Sequence, residues 1–180
     1  MTKTSPPDRA LTARLRRVKL LLCDVDGVLT DGTVWVGAGF EAKGFNMQDG
    51  MGLAMLRRAG IKSGWISSRP SLATSQRAAE LKVDFLHQDK TSKVAAIEAI
   101  LATAGCDWAE VCYMGDDVVD LGPLRRAGVA VAVANAVPEA KRRAHCITRA
   151  AGGAGAVREV VEMILKAQGK WQKLVAQFDA

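Results

Sequence analysis

Two short acidic stretches stand out: Asp24-Val25-Asp26-Gly27 and Gly115-Asp116-Asp117-Val118-Val119-Asp120. Each begins where an apolar run ends, residues 19–23 for the first and 111–114 for the second. Residues two apart on an extended chain point the same way, so Asp24 and Asp26 can face one pocket. Glycine at 27 lets the backbone turn sharply and approach a ligand closely. Taken alone, a DxDG stretch reads equally well as a polar turn with a helix cap. The second cluster changes the balance, because two carboxylate-loaded strand ends side by side repel each other unless a cation lies between them. Oxygen donors with no His or Cys nearby favour a hard ion, and few ligands with room for water favour Mg²⁺ over Ca²⁺. Asp117 has a second reading as the acidic N-cap of a following helix.

Two further loops carry complementary groups. Ser67-Ser68-Arg69 follows a segment read as a strand, 61–66, and offers hydroxyls and backbone N–H groups to anionic oxygens. His87-Gln88-Asp89-Lys90-Thr91-Ser92-Lys93 follows another. Lys93 falls in the first turn of a predicted helix, where a cation opposes the helix dipole, so a neighbouring anion or carboxylate would account for it. By spacing alone Lys90 serves as well.

The elements that must hold these loops alternate between strand and helix. Strands are predicted at 19–23, 61–66, 83–86, 111–114, 129–133 and, at an edge, 145–148. Helices are predicted at 10–17, at 51–58 opened by Asp49 or Gly50, from a Ser71 cap to 82, from a Thr91 cap to 104, and at 118–126, 138–144 and 156–167. Residues 170–178 extend the last helix or form a separate tail. The expected fold is α/β, doubly wound and Rossmann-like, with a mostly parallel sheet covered on both faces. Such sheets bind ligands at the carboxyl ends of their strands, where all four loops fall. Between 32 and 45 a β-hairpin is expected to project just after the first strand. The whole of 1–180 reads as one domain, with a core over about 18–168, a frayed start at 1–8 and a tail at 169–180.

Composition narrows the class. With 49% hydrophobic and 24% charged residues the chain can build a packed core and is not disordered. The net charge of +6 is spread over small basic groups with no aromatic interleaving, which argues against a nucleic-acid binder. That excess helps collect a small anionic substrate. The four cysteines show no CxxC pair and read as reduced thiols, Cys23 and Cys112 within the core. The longest apolar run near the start is too short for a signal or membrane segment, so no membrane is expected and the cytoplasm is the expected location.

In order along the chain, the DxD, Ser, Lys and GDDxxD stretches at four strand ends resemble the motifs of the haloacid dehalogenase superfamily. Residues 18–168 resemble its 3-deoxy-D-manno-octulosonate 8-phosphate phosphatases more closely. The likeness runs through residues 24–32, through Phe45-Asn46-Met47-Gln48-Asp49-Gly50, through Gly115-Asp116-Asp117, and through 150–159. That resemblance implies no large cap domain, and a homotetramer whose hairpins and C-terminal tails close neighbouring sites. It implies Asp24 as the nucleophile, forming an aspartyl-phosphate, and Asp26 as acid and then base. Mg²⁺ is expected on the Asp24 carboxylate, the Asp26 carbonyl and Asp116. Ser67 and Lys93 are expected on the transferring oxygens, with Asp117 and Asp120 orienting Lys93 and metal-bound water. Substrate contacts are expected from Gly27, Ser68, Arg69 and Arg77, the last in a neighbouring subunit's site or else merely exposed on its helix.

The related nonulosonate 9-phosphate enzymes carry Glu and Lys where Arg69 and Glu80 stand, which favours the octulosonate as substrate. The chain departs from the family at Ser67-Ser68, usually Thr-Gly, and at Ala154, usually Arg. A phospho-Asp signalling module is the alternative of another class, but its acidic pair and lone acceptor Asp sit on different strands from these.

Overall fold

A computed structural model describes residues 9–179, so the frayed start expected at 1–8 lies outside the described residues. Strand β1 (Leu20–Cys23) is buried along its whole length, as a central strand covered on both faces must be. It pairs in parallel with β4 (Lys62–Ser67) on one side and β6 (Val111–Gly115) on the other. Outside β4 lies β5 (Phe85–Gln88), and outside β6 lie β7 (Val129–Ala132) and the two-residue β8 (Cys146–Ile147). All pairings in this six-stranded sheet are parallel. The chain therefore winds outward from β1 through β4 to β5, then crosses back and winds the other way from β6. The reversal leaves a crevice between the carboxyl ends of β1 and β6, the switch point at which such sheets bind ligands. It is flanked by the two acidic stretches.

Helices α1 (Arg9–Arg16), α2 (Met47–Arg58), α3 (Leu72–Leu81) and α7 (Ala156–Ala167) form one packed group. Helices α4 (Lys93–Ala104) and α5 (Leu121–Arg126) pack together and against the sheet. No described helix is long and apolar enough to cross a membrane. The excursion between β1 and α2 is a two-stranded antiparallel hairpin, β2 (Trp35–Gly37) and β3 (Phe40–Ala42), which forms its own sheet. Trp35, Val36 and Phe40 on it are exposed. No large cap domain is inserted among the described residues.

Several boundaries differ from those expected. Helix α2 starts at Met47 rather than near 51, because the Asn46 side chain accepts the N–H groups of Gln48 (2.8 Å) and Asp49 (3.3 Å) and so caps it. Asp49 is thus inside the helix and not its opener. Strand β5 begins two residues late: Lys82 ends α3 in a left-handed conformation, and Asp84 then accepts the N–H of Ser63 at 2.8 Å. The helix expected over 118–126 is a 3₁₀ turn, Val118–Asp120, followed by α5, which carries Pro123 in its first turn, where proline is tolerated. Helix α6 is a single turn, Pro138–Lys141, shorter than the 138–144 expected.

The C-terminal segment is a separate short helix, α8 (Trp171–Val175), not an extension of α7. It turns onto its own chain, with the Arg158 guanidinium 5.1 Å from the Trp171 ring centre and Leu174 buried. Gln168 donates to the carbonyl of Val18 (2.8 Å), so the tail departs from the strand-entry end of the sheet, opposite the acidic crevice.

Candidate active site

The loop after β1 is shaped from several directions. The Asp24 N–H donates to Met114 O of β6 (2.9 Å), which sets the first carboxylate directly beside the second acidic stretch. Gly27 has φ +98°, and a Cβ there would lie 2.1 Å from Asp116 Oδ2, so glycine is what allows Asp116 to approach this loop. The 152–155 loop lies on top: a Cβ on Gly152 would stand 1.7 Å from the Gly27 carbonyl oxygen. Thr30 Oγ1 accepts the N–H of Gly32 at 3.2 Å and braces the turn from within.

Carboxylate oxygens of Asp24, Asp116 and Asp120 lie within 4.8 Å of one another. Lys93 answers part of that charge. Its Nζ donates to Asp24 Oδ1 (2.6 Å) and Asp120 Oδ1 (2.7 Å), and its side chain is almost wholly buried. Burial works against the ammonium, but the two carboxylates outweigh it and hold its pKa above the ordinary lysine value. Asp120 is saturated, because it also accepts the Tyr113 hydroxyl (2.6 Å) and the N–H groups of Asp116 (2.9 Å) and Asp117 (3.2 Å). Asp116 has no such support, and its Oδ1 is buried without a hydrogen-bond partner. Burial first, then repulsion from Asp24 and Asp120, pushes its pKa up to about 8. Burial and the Asp120 carboxylate raise Asp24 to about 6, against the pull of Lys93.

An orphaned buried carboxylate oxygen beside a second carboxylate, with only oxygen donors around, is what a hard divalent cation requires. The residues fit Mg²⁺. Asp24 and Asp116 are free to offer it oxygens, while Asp120 is committed to holding Lys93 and the 115–117 backbone.

The remaining predicted residues fall in several places. Asp26 is half-buried, and its Oδ1 lies 2.6 Å from Lys43 Nζ, outside the three-carboxylate cluster. Ser67 is buried at the end of β4, where its hydroxyl accepts the N–H of Arg69 (3.0 Å) and donates to Arg69 O (3.1 Å). Ser68 is exposed. The Arg69 guanidinium is tied to Glu41 of the hairpin. Arg77 does not reach this chain's own crevice: it pairs with Glu80 at 2.7 Å, and its terminal nitrogen lies against Gly50 of α2. It is also mostly buried, not the exposed helix arginine of the alternative reading. Of the two lysine candidates the cluster takes Lys93, and Lys90 is exposed. Asp117 does not touch Lys93 as expected; it is exposed and caps the 3₁₀ turn by accepting the N–H of Val118 at 2.6 Å. Thr91, expected to cap α4, precedes the cap residue Ser92 and bonds His87 instead (3.0 Å).

Three contributors were not anticipated. Tyr113 sits in an apolar run and looks like pure core. Glu41 and Lys43 lie on the hairpin, where their spacing of two was the available signal, since it places both side chains on one face.

Residues 52–160 match the haloacid dehalogenase-like hydrolase family. A 3-deoxy-D-manno-octulosonate 8-phosphate phosphatase of Yersinia pestis is 41% identical over 158 residues, 87% of this chain and 84% of that one. The enzyme of that name from Escherichia coli K12 is 37% identical over 173 residues, covering 96% and 92%. Among solved structures, the Moraxella catarrhalis phosphatase of the same name, in complex with magnesium, phosphate and KDO, superposes with a TM-score of 0.92. It is 35% identical, with 95% of this chain and 99% of that one covered. Sequence, fold and the acidic crevice agree: the chain belongs to the haloacid dehalogenase-like hydrolases, and within them to the 3-deoxy-D-manno-octulosonate 8-phosphate phosphatase family.

Proposed function

We propose that this chain is a Mg²⁺-dependent phosphatase that hydrolyses 3-deoxy-D-manno-octulosonate 8-phosphate through a phosphate ester formed on Asp24. The observation that carries the reading is the buried trio at the switch point: Asp24 held by Lys93, with the unpartnered Asp116 Oδ1 beside it.

In this reading an oxygen of Asp24 attacks phosphorus, and the bond from phosphorus to the sugar oxygen breaks. Asp26, two residues on, gives its proton to that departing oxygen. Water then attacks the phosphorus of the aspartyl-phosphate, Asp26 takes a proton from it, and Asp24 is released. The Asp24 and Asp116 carboxylates and the Asp26 carbonyl would hold Mg²⁺, and the ion would supply positive charge against the repulsion between the anionic nucleophile and the anionic phosphate. Lys93 keeps Asp24 aimed and supplies positive charge to the phosphoryl oxygens, and the Ser67 hydroxyl is assigned to the same oxygens. Gly27, Ser68 and Arg69 are assigned to contacts with the substrate in this reading.

Self-association supports closure of the site. The hairpin exposes Trp35, Val36 and Phe40, the kind of apolar patch that subunits cover. The tail departs from the end of the sheet opposite the crevice, so a neighbour's site is the one it can serve in a homotetramer. Arg77, turned away from its own site, fits the same scheme only if a neighbour is close. A cytoplasmic setting fits the four free cysteines.

Side-by-side kinetics on 3-deoxy-D-manno-octulosonate 8-phosphate and a nonulosonate 9-phosphate, with Mg²⁺ and with chelator, test this reading. The octulosonate should have the higher kcat/KM, and phosphate release should vanish without metal. A preference for the nonulosonate would overturn the substrate; release of no phosphate from either would overturn the activity.

A further inference from the structure

The hairpin does more than project. Lys43, just past β3, has a side chain with 0% exposure, and its Nζ lies 2.6 Å from Asp26 Oδ1. The same ammonium donates to Thr74 Oγ1 of α3 at 3.4 Å. A buried ammonium is retained where an anion and a hydrogen-bond acceptor meet it, and Asp26 and Thr74 supply both. Two residues earlier, Glu41 accepts the Ser71 hydroxyl (2.6 Å) and holds the Arg69 guanidinium. One face of the hairpin is therefore fastened at two points, to the loop after β4 and to the loop after β1.

Asp24 is fixed by the core through Lys93. Asp26 has no equivalent there: among the described residues its carboxylate pairs with no cation except Lys43. The DxD spacing sets the direction of the Asp26 side chain but leaves its carboxyl free to rotate.

We infer that Lys43 is a positioning residue for acid catalysis, a hairpin-borne cation that holds the Asp26 carboxyl against the departing oxygen. This rests on the phosphatase reading above. As the bond from phosphorus to the leaving oxygen breaks, the proton passes from Asp26 to that oxygen. The charge left on Asp26 then faces the Lys43 ammonium. Such placed charge stabilises the transition state without reorganisation.

The test compares leaving groups. kcat/KM reports steps up to formation of the phosphoenzyme, so later hydrolysis does not mask the effect. Wild type, Lys43→Met and Lys43→Arg are assayed with Mg²⁺ on a primary sugar phosphate, whose alkoxide must be protonated, and on p-nitrophenyl phosphate, whose phenolate leaves unaided. General acids contribute about 10²–10⁴-fold, so losing the alignment of one should cost the sugar ester at least about tenfold more than the aryl ester. Lys43→Arg, which keeps the charge, should recover part of that difference. Equal losses on the two esters would make Lys43 a scaffold or phosphate-binding residue and overturn the inference, as would no loss on either. Lys43→Gln takes the place of a Lys43→Met protein that does not fold, and if both unfold Lys43 is a stability residue and the inference falls. A wild type inactive on both esters would instead sink the phosphatase reading, and this inference with it.

Discussion

Asp49 accepts the backbone N–H of Arg158 at 2.7 Å, so a carboxylate in the first turn of α2 caps the first turn of α7. Helix α7 has Gly155 at its N-cap and no side-chain cap of its own. Burial is the largest influence on this carboxylate and leaves its pKa raised, against the pull of the backbone N–H groups at the start of α7. This contact fixes the start of α7, and through it the 152–155 loop that rests on the Asp24–Gly27 turn.

Removing that cap should be felt in stability. Asp49→Ala is expected to cost about 1–2 kcal/mol, the usual range for a lost helix cap. For a chain of this size that lowers the unfolding midpoint by about 3–6 °C. Calorimetry on wild type and variant checks it; an unchanged midpoint would mean that the contact contributes nothing.

Asp24→Asn should abolish turnover, by at least about 10³-fold, because the amide cannot act as the nucleophile. The fold should survive. Asp24 is one of three crowded carboxylates, so removing its charge also relieves repulsion on Asp116. With chelator present, the variant's unfolding midpoint should equal or exceed that of wild type. Phosphate release at the parent rate would remove Asp24 from the role.

Metal and pH should be linked. Asp24 and Asp116 have folded-state pKa values raised to about 6 and about 8, from 3.8. A carboxyl raised on folding binds more protons in the folded than in the unfolded state, so its contribution to stability is lost as pH rises through the folded pKa. The metal-free protein should therefore lose stability from these two groups between about pH 4 and pH 8. His145 works the other way in part of that window, since burial lowers its pKa. It is outside the cluster, so its contribution cancels when samples with and without Mg²⁺ are compared at each pH. The rise in midpoint on adding Mg²⁺ should accordingly be larger at pH 8 than at pH 5. Differential scanning fluorimetry at the two pH values measures it; an equal rise at both would argue against an ion held by these carboxylates.

Gly152→Ala should impair activity more than stability. Its new methyl would meet the Gly27 carbonyl oxygen, a backbone atom, at 1.7 Å. The two loops must separate, which displaces Asp26 and the Asp116 approach. A displacement of about 1 Å in a catalytic group can cost about 10²-fold, so kcat/KM should fall by that order. Wild-type kcat/KM in a folded Gly152→Ala protein would show that the 152–155 loop does not set the geometry of the Asp24–Gly27 turn.

Much of the fold was legible because its signals are local. Apolar runs, each ended by a polar loop, mark β1 and β6 whatever the rest of the chain does. Ala156–Ala167 could be read to the residue from its periodicity and the glycines before it. The carboxylate cluster was legible for a similar reason, since carboxylates at strand ends need a counter-charge wherever the strands are neighbours.

What only the tertiary structure decided is which partner each charge meets. Lys93 and Lys90 were equivalent by spacing, and the direction of the first turn of α4 chose Lys93. Asp117 and Asp120 looked alike, yet the 3₁₀ turn points Asp117 to solvent and folds Asp120 back under Lys93 and Tyr113. Lys43 with Asp26 and Asp49 with Arg158 join elements far apart in sequence. The physical reason is that strand and helix propensities act over a few residues, whereas side-chain pairing is set by packing between segments that no local pattern brings together.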